Sequence, residues 1–145
     1  MSYRNATKAY QQVGTQSAVD NASPHRLISM LMDGALERVA AAKGLMQHGD
    51  VAGKGLQISK AIAIVDGLRM SLDLEAGGEI AANLDNLYEY IGRVLLQANL
   101  NNNPTQLDEV ADLIHELKGA WEAIPPSIRG VPPSVAEAEA RAGAR

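Results

Sequence analysis

The spacing of apolar residues is the feature of this sequence that most limits its fold, because they recur every three or four positions in four successive segments. The last segment has steps of 3, 4, 3, 4 and 3 between Leu107, Val110, Ile114, Leu117, Trp121 and Ile124. This spacing places the side chains on one side of an α-helix and is typical of the buried seam of a helical bundle. No segment shows an alternation that competes as a strand pattern.

Capping signals divide the chain into four predicted helices. Ser23-Pro24 combines an N-cap residue with proline at the first helical position, where its missing N–H costs nothing. Asn103-Pro104 repeats this signal, Gly77-Gly78 predicts the end of the second helix, and Pro125-Pro126 ends the fourth. The helices are expected at about residues 24–47, 51–75, 79–100 and 104–124.

Four helices of roughly 20 residues, joined by short turns, predict an antiparallel up-down four-helix bundle over residues 23–126. The composition agrees with this all-α fold. Hydrophobic residues make up 46% of the chain, but aromatic residues only 3% and Phe is absent, so the core must consist of Leu, Ile, Val, Met and Ala. Such a core favours packed helices over a sheet.

The two ends of the chain are expected to lie outside the bundle. Residues 1–22 are predicted to form a short N-terminal arm, with a weak amphipathic stripe of Tyr3, Ala6, Tyr10 and Val13. The tail at residues 127–145 contains few residues that could be buried, so the sequence predicts that it is disordered.

Charge and cysteine content exclude several classes of function. The net charge of -4 argues against nucleic acid as the main ligand. The absence of Cys excludes disulfide scaffolds and thiolate chemistry and fits a reducing compartment. No apolar run approaches the ~20 residues of a membrane span, and the N-terminus lacks a signal-peptide stretch. We therefore expect a cytoplasmic protein without membrane insertion.

No group of residues predicts catalysis, so the chain is not expected to be an enzyme. The segment Gly49–Gly55 resembles a P-loop but has three residues between its glycines, where a P-loop has four, and lacks the Ser or Thr that binds Mg²⁺. Asp112 and His115 lie one helical turn apart, but a second such motif is absent. The sequence predicts no catalytic residue, no cofactor and no metal.

Surplus apolar residues are the most informative departure from a simple bundle. A second face of helix two, opposite its main stripe, carries apolar residues, and on helix three two leucines point away from the seam while a tyrosine lies at its flank. These residues are Leu56, Ala63, Met70 and Leu74, followed by Tyr90, Leu96 and Leu100. Met30 also lies outside the stripe of helix one. The residues could contact the arm, the tail or water, or they could form a groove for an amphipathic partner helix.

From Lys8 to about Ile124 the chain resembles the flagellin-specific export chaperones of bacterial flagella (FliS-type). Four stretches in order carry the resemblance. They are Ala9-Tyr10 with Val13, Ser23-Pro24-His25-Arg26-Leu27-Ile28 through Asp33-Gly34-Ala35, Gly49-Asp50 with Ser59-Lys60-Ala61, and Gly77-Gly78-Glu79-Ile80-Ala81 through Leu95-Leu96-Gln97-Ala98-Asn99 to Ala120-Trp121. Met32 departs from the pattern, since many relatives have an aromatic residue there, and the tail after Pro126 matches nothing in the family.

The resemblance implies a cytoplasmic chaperone that binds the C-terminal segment of flagellin, prevents premature polymerisation and delivers it to the export gate of the flagellar secretion apparatus. It also implies that the arm around Tyr10 and Val13 helps to present the loaded chaperone to the gate. Because the arm is too short to be a stable helix alone, we expect it to dock as a movable lid. The alternative from another class is a structural homo-oligomer whose second faces pair with each other, without cargo.

Overall fold

The computed structural model describes residues 23–124, which form four α-helices. They are α1 (Pro24–Gln47), α2 (Val51–Met70), α3 (Leu74–Asn101) and α4 (Pro104–Glu122). The predicted all-α bundle is therefore confirmed. The arm predicted at residues 1–22 and the tail predicted at 127–145 lie outside the described residues.

Contacts between helices agree with an antiparallel up-down order, in which α1 and α3 each pack against α2 and α4. Lys118 Nζ lies 2.5 Å from Asp33 Oδ1, and Lys43 Nζ lies 2.8 Å from Asp108 Oδ1. The residue that lies later in α1, Lys43, thus pairs with the residue that lies earlier in α4, Asp108, as antiparallel helices require.

Side-chain caps explain where three of the helices begin. The Ser23 hydroxyl accepts a hydrogen bond from the backbone N–H of Arg26 at 3.1 Å. Asp50 accepts one from the N–H of Gly53 at 2.8 Å, and Asn103 accepts one from that of Thr105 at 3.0 Å. Each cap satisfies an N–H group that the first turn of a helix leaves without a backbone partner.

The boundary between the second and third helices differs from the prediction, because α2 ends at Met70 and α3 already begins at Leu74. The Ser71 hydroxyl donates to the carbonyl of Leu68 at 2.6 Å as α2 ends. Asp73 then caps α3 by accepting from the N–H of Ala76 at 3.1 Å. Gly78 has φ +55° and ψ -132° within α3, so Gly77-Gly78 marks a kink near the start of α3 and not the end of α2.

The core is aliphatic, as the composition predicts, and its largest fully buried side chains come from all four helices. They are Leu27, Leu31, Met32, Ile58, Ile64, Leu68, Ile91, Leu95, Leu107, Val65 and Val110. Helix α1 is buried most completely, because Ser29, Met30 and Gly34 are buried as well. Met30 is only 6% exposed, so it does not belong to the surplus apolar surface that its position in the sequence suggested.

Candidate partner-binding surface

The solvent side of α2 carries the apolar row that the sequence predicts. Leu56 is 55% exposed and Met70 is 61% exposed, and Ala63 between them is exposed too. The opposite side of α2 packs into the core through Ile58 and Val65. Because α2 is apolar around most of its circumference while only one side is buried, it presents a surface that suits a second packing partner.

Leu74 is also exposed, at 54%, but it is not part of α2. It occupies the first position of α3, after the turn that follows Met70. The helical spacing that placed Leu74 on the same face as Leu56 therefore does not apply, and its membership of the row is corrected. We call Leu56, Ala63 and Met70 the α2 row.

Two further predicted residues, Leu96 and Leu100, are 51% and 75% exposed. At about 100° per residue, Leu96 lies within about 20° of Asp85 around the axis of α3. Asp85 pairs with Arg69 of α2, with Arg69 Nε 2.6 Å from Asp85 Oδ1. Leu96 therefore lies on the flank of α3 that is nearest to α2.

Lys54 fixes the end of α3 against the start of α2. Its ammonium group donates to the carbonyl of Asn99 at 2.7 Å and to Oδ1 of Asn102 at 3.0 Å, and the residue is only 5% exposed. A cation is favourable here because the last carbonyls of a helix carry partial negative charge. Leu100 lies between these two partners in the sequence, at the end of α3 that Lys54 joins to the start of α2, where Val51 is 71% exposed. Sequence reasoning missed Val51, which stands outside the main stripe at the first position of its helix.

Tyr90 contacts α4, unlike Leu96. Its hydroxyl donates a hydrogen bond to the Glu109 carboxylate of α4, and the Arg93 guanidinium lies 5.5 Å from the centre of its ring. The Glu109 carboxylate, as hydrogen-bond acceptor and nearby negative charge, raises the pKa of Tyr90 above its usual range. The structure thus places Tyr90 between α3 and α4, and not with Leu96 on the flank near α2.

An apolar pocket of about 250 Å³ lies at the end of the bundle where α1 begins and α4 ends. All four helices and the α2–α3 turn contribute to its lining: Ile28, Met32, Ser71, Leu72, Ile80, Leu84, Tyr88, Leu117, Ala120, Trp121 and Ile124. Sequence reasoning missed this pocket. Its residues come from separate segments, and most of them belong to stripes that predict core positions.

His25 and Trp121 contact each other at this end of the bundle, and Trp121 lines the pocket. The two rings stack with centroids 4.9 Å apart and planes inclined by 8°. His25 is 8% exposed, although its place in the first turn of a helix predicts a surface residue. Trp121, which the seam predicts inside the bundle, is half-buried and packs at the edge of the core.

Within residues 23–124, no group of three or more His, Cys, Asp or Glu residues could hold a metal ion. None of the four described helices is both long enough and apolar enough to cross a membrane.

Comparison with known proteins identifies the family. The model of the family described as flagellar protein FliS matches residues 6–127. The chain is 50% identical over 119 residues to the flagellar secretion chaperone FliSB of Pseudomonas aeruginosa, covering 82% of this chain and 94% of that protein. It is 51% identical over 120 residues to the flagellar secretion chaperone FliS of Salmonella typhimurium, covering 82% and 89%. The corresponding protein of Vibrio cholerae is 44% identical over 123 residues, covering 85% and 90%. Because the family model spans most of the sequence and these relatives share about half of its residues, the chain belongs to the FliS family of flagellar secretion chaperones.

Proposed function

We propose that this protein is a cytoplasmic chaperone that binds the C-terminal segment of flagellin, prevents its premature polymerisation and delivers it to the export gate of the flagellar secretion apparatus. Membership of the FliS family and relatives named as flagellar secretion chaperones support this proposal.

The exposed α2 row is the observation that carries the proposal. Leu56 and Met70 are each more than half exposed on a helix whose other side is already packed in the core. Burial of such a side chain from full exposure contributes roughly 1.5–3 kcal/mol, and a little over half of Leu56 and of Met70 is still exposed. An amphipathic helix that covers the α2 row would therefore gain roughly 2–3 kcal/mol from these two side chains, which favours a partner of matching shape.

A disordered cargo segment suits this surface. A segment that folds as it binds can cover a large area, while the cost of ordering it keeps the affinity per unit area modest. Modest affinity is an advantage for a chaperone, because the cargo has to be released for export. The apolar stripe of the segment is also covered while it is bound, so that two flagellin molecules cannot associate through it.

Co-purification tests the proposal. The protein should retain full-length flagellin and should not retain flagellin that lacks its C-terminal segment. Equal retention of both forms would contradict the proposed cargo site. Light scattering distinguishes the alternative, since the proposal expects a 1:1 complex with flagellin. A stable homo-oligomer that binds no flagellin would favour the structural alternative.

A further inference from the structure

The apolar pocket has one wall that is firmly held. Trp121 stacks on His25, its indole N–H donates to the backbone carbonyl of His25 at 2.9 Å, and its own carbonyl accepts from His25 Nε2 at 2.9 Å. Three separate contacts therefore fix the ring and the backbone of Trp121. Trp121 can move away from the start of α1 only if all three contacts with His25 are broken.

The wall made by the α2–α3 turn is held much less. Leu72 is half-buried in the pocket lining, but the side chains of the next four residues, 73–76, are all exposed. Ser71 is anchored to the end of α2 through the carbonyl of Leu68. Within residues 23–124, the stretch between this anchor and Gly77 makes local cap and turn contacts, and Leu72 packs against the body of the bundle. Segments with few buried contacts open at low free energy.

Gly78 supplies a hinge at the other end of this turn. Its φ of +55° and ψ of -132° interrupt the helical backbone of α3 in a conformation that glycine adopts readily and other residues rarely adopt. A Cβ atom added at Gly78 would meet no atom within 4 Å. The glycine is therefore required by the backbone conformation and not by a close neighbour.

The pocket is also larger than one inserted side chain needs. A cavity of about 150 Å³ is enough to hold a benzene-sized ring, and this pocket measures about 250 Å³. If a large apolar side chain enters it, inward movement of Leu72 would fill the remaining space and improve packing.

We infer that residues 72–76 form a movable wall, hinged at Gly78, which closes over an apolar side chain that a bound flagellin segment inserts into the pocket, while the Trp121 wall stays in place. This inference rests on the proposed function for the identity of the ligand. It adds to that function a specific moving part and a fixed counterpart.

Distance measurements between spin labels test the movement. The chain contains no Cys, so engineered cysteines are its only labelling sites. A Glu75→Cys/His115→Cys pair reports on the wall, and an Asp66→Cys/His115→Cys pair on the bundle is the control, since all three side chains are exposed. Addition of the flagellin C-terminal segment should shift the mean distance between the wall labels and narrow the distribution of that distance. The distance between the control labels should not change.

Gly78→Ala tests the hinge in the free protein, with Gly92→Ala as its matched control. Neither added Cβ meets an atom within 4 Å, and Gly92 does not have a positive φ. The strain of alanine at Gly78 should shift the ratio of open to closed wall conformations by about five- to thirty-fold. The distance between the wall labels should change accordingly. Gly92→Ala should leave it unchanged.

The outcomes separate the hinge from the proposed function. If the segment binds and the wall distance does not move, the hinge is wrong and the chaperone function stands. If the segment does not bind, the proposed function fails, and the Gly78→Ala comparison still decides the hinge. A wall distance that is the same in Gly78→Ala and Gly92→Ala would overturn it.

Discussion

His25 and Trp121 join the first turn of α1 to the last turn of α4 by exchanging two hydrogen bonds. The indole N–H of Trp121 donates to the carbonyl of His25, and His25 Nε2 donates to the carbonyl of Trp121, each at 2.9 Å. The second bond requires that the proton of a neutral His25 ring is on Nε2, because a carbonyl only accepts. The stacked rings therefore hold together the two ends of the described chain.

Replacing His25 with Ala should destabilise the protein by about 1–3 kcal/mol, since it removes the stacking and one hydrogen bond. Trp121→Ala should cost more, roughly 3–5 kcal/mol, because a large aromatic contact is lost. Urea unfolding measures both. His115, which is exposed on α4, provides the control: His115→Ala should change stability by less than about 0.5 kcal/mol. Equal stabilities of His25→Ala and His115→Ala would mean that the stacked pair contributes nothing.

Lys54→Met should destabilise the bundle by about 1–3 kcal/mol. The methionine retains an apolar stem of similar length but leaves the carbonyl of Asn99 and the amide oxygen of Asn102 without their donor. Lys60→Met on the same helix is the control, and thermal unfolding followed by circular dichroism is the measurement. A loss of stability no greater than that of Lys60→Met would show that water replaces the ammonium group at the end of α3.

Tyr90 should titrate above the ordinary tyrosine pKa of 10.0, because Glu109 favours the neutral phenol. Since the folded state holds the proton more tightly, the stabilisation from this pair is complete below pH ~10 and is lost as the pH rises through the raised pKa. Glu109→Gln should move the pKa of Tyr90 down. Tyrosinate absorbance measured against pH checks this, and the titration step that Tyr90→Phe removes identifies Tyr90. The account of this pair is wrong if Glu109→Gln leaves that step in place.

The fold could be predicted because local signals and tertiary packing agree along most of the chain. The spacing from Leu107 to Ile114 is a property of one helix, and these residues are buried as expected. The α2–α3 boundary could not be predicted in the same way. Gly78 signals that the backbone leaves helical geometry, but a helix end and a kink use the same residue type, and the Asp73 cap decides between them.

The candidate site was predictable only where it lies on one helix. Leu56 and Met70 share a face because of helical periodicity, and their exposure follows from the burial of the opposite side. The pocket and the His25–Trp121 pair depend on residues that are 96 positions apart in the chain, so no local pattern reveals them. Tyr90 lies on α3 six residues before Leu96, but it faces α4 because Glu109 provides its partner there.

Deletion of residues 1–13 tests the predicted lid, whose residues Tyr10 and Val13 lie outside the described part of the chain. If the arm competes with cargo for the apolar surface, the shortened protein should bind flagellin more tightly by calorimetry and engage the export gate more weakly. An arm that is permanently docked or permanently loose would leave the affinity for flagellin unchanged. Weaker flagellin binding would instead make the arm part of the cargo site and would end the lid hypothesis.

The central claim is that the α2 row holds flagellin, and calorimetric titration of the flagellin C-terminal segment into Met70→Asp tests it most directly. A carboxylate covered by an apolar partner stays unpaired, which should weaken binding by roughly 2 kcal/mol, or about thirty-fold. Ala41→Asp, an exposed position on α1, is the control and should bind as the unmodified protein does. The account predicts this loss with an unchanged melting transition. Unchanged affinity in a folded Met70→Asp protein would contradict it, and unfolding of that variant would show that Met70 belongs to the core.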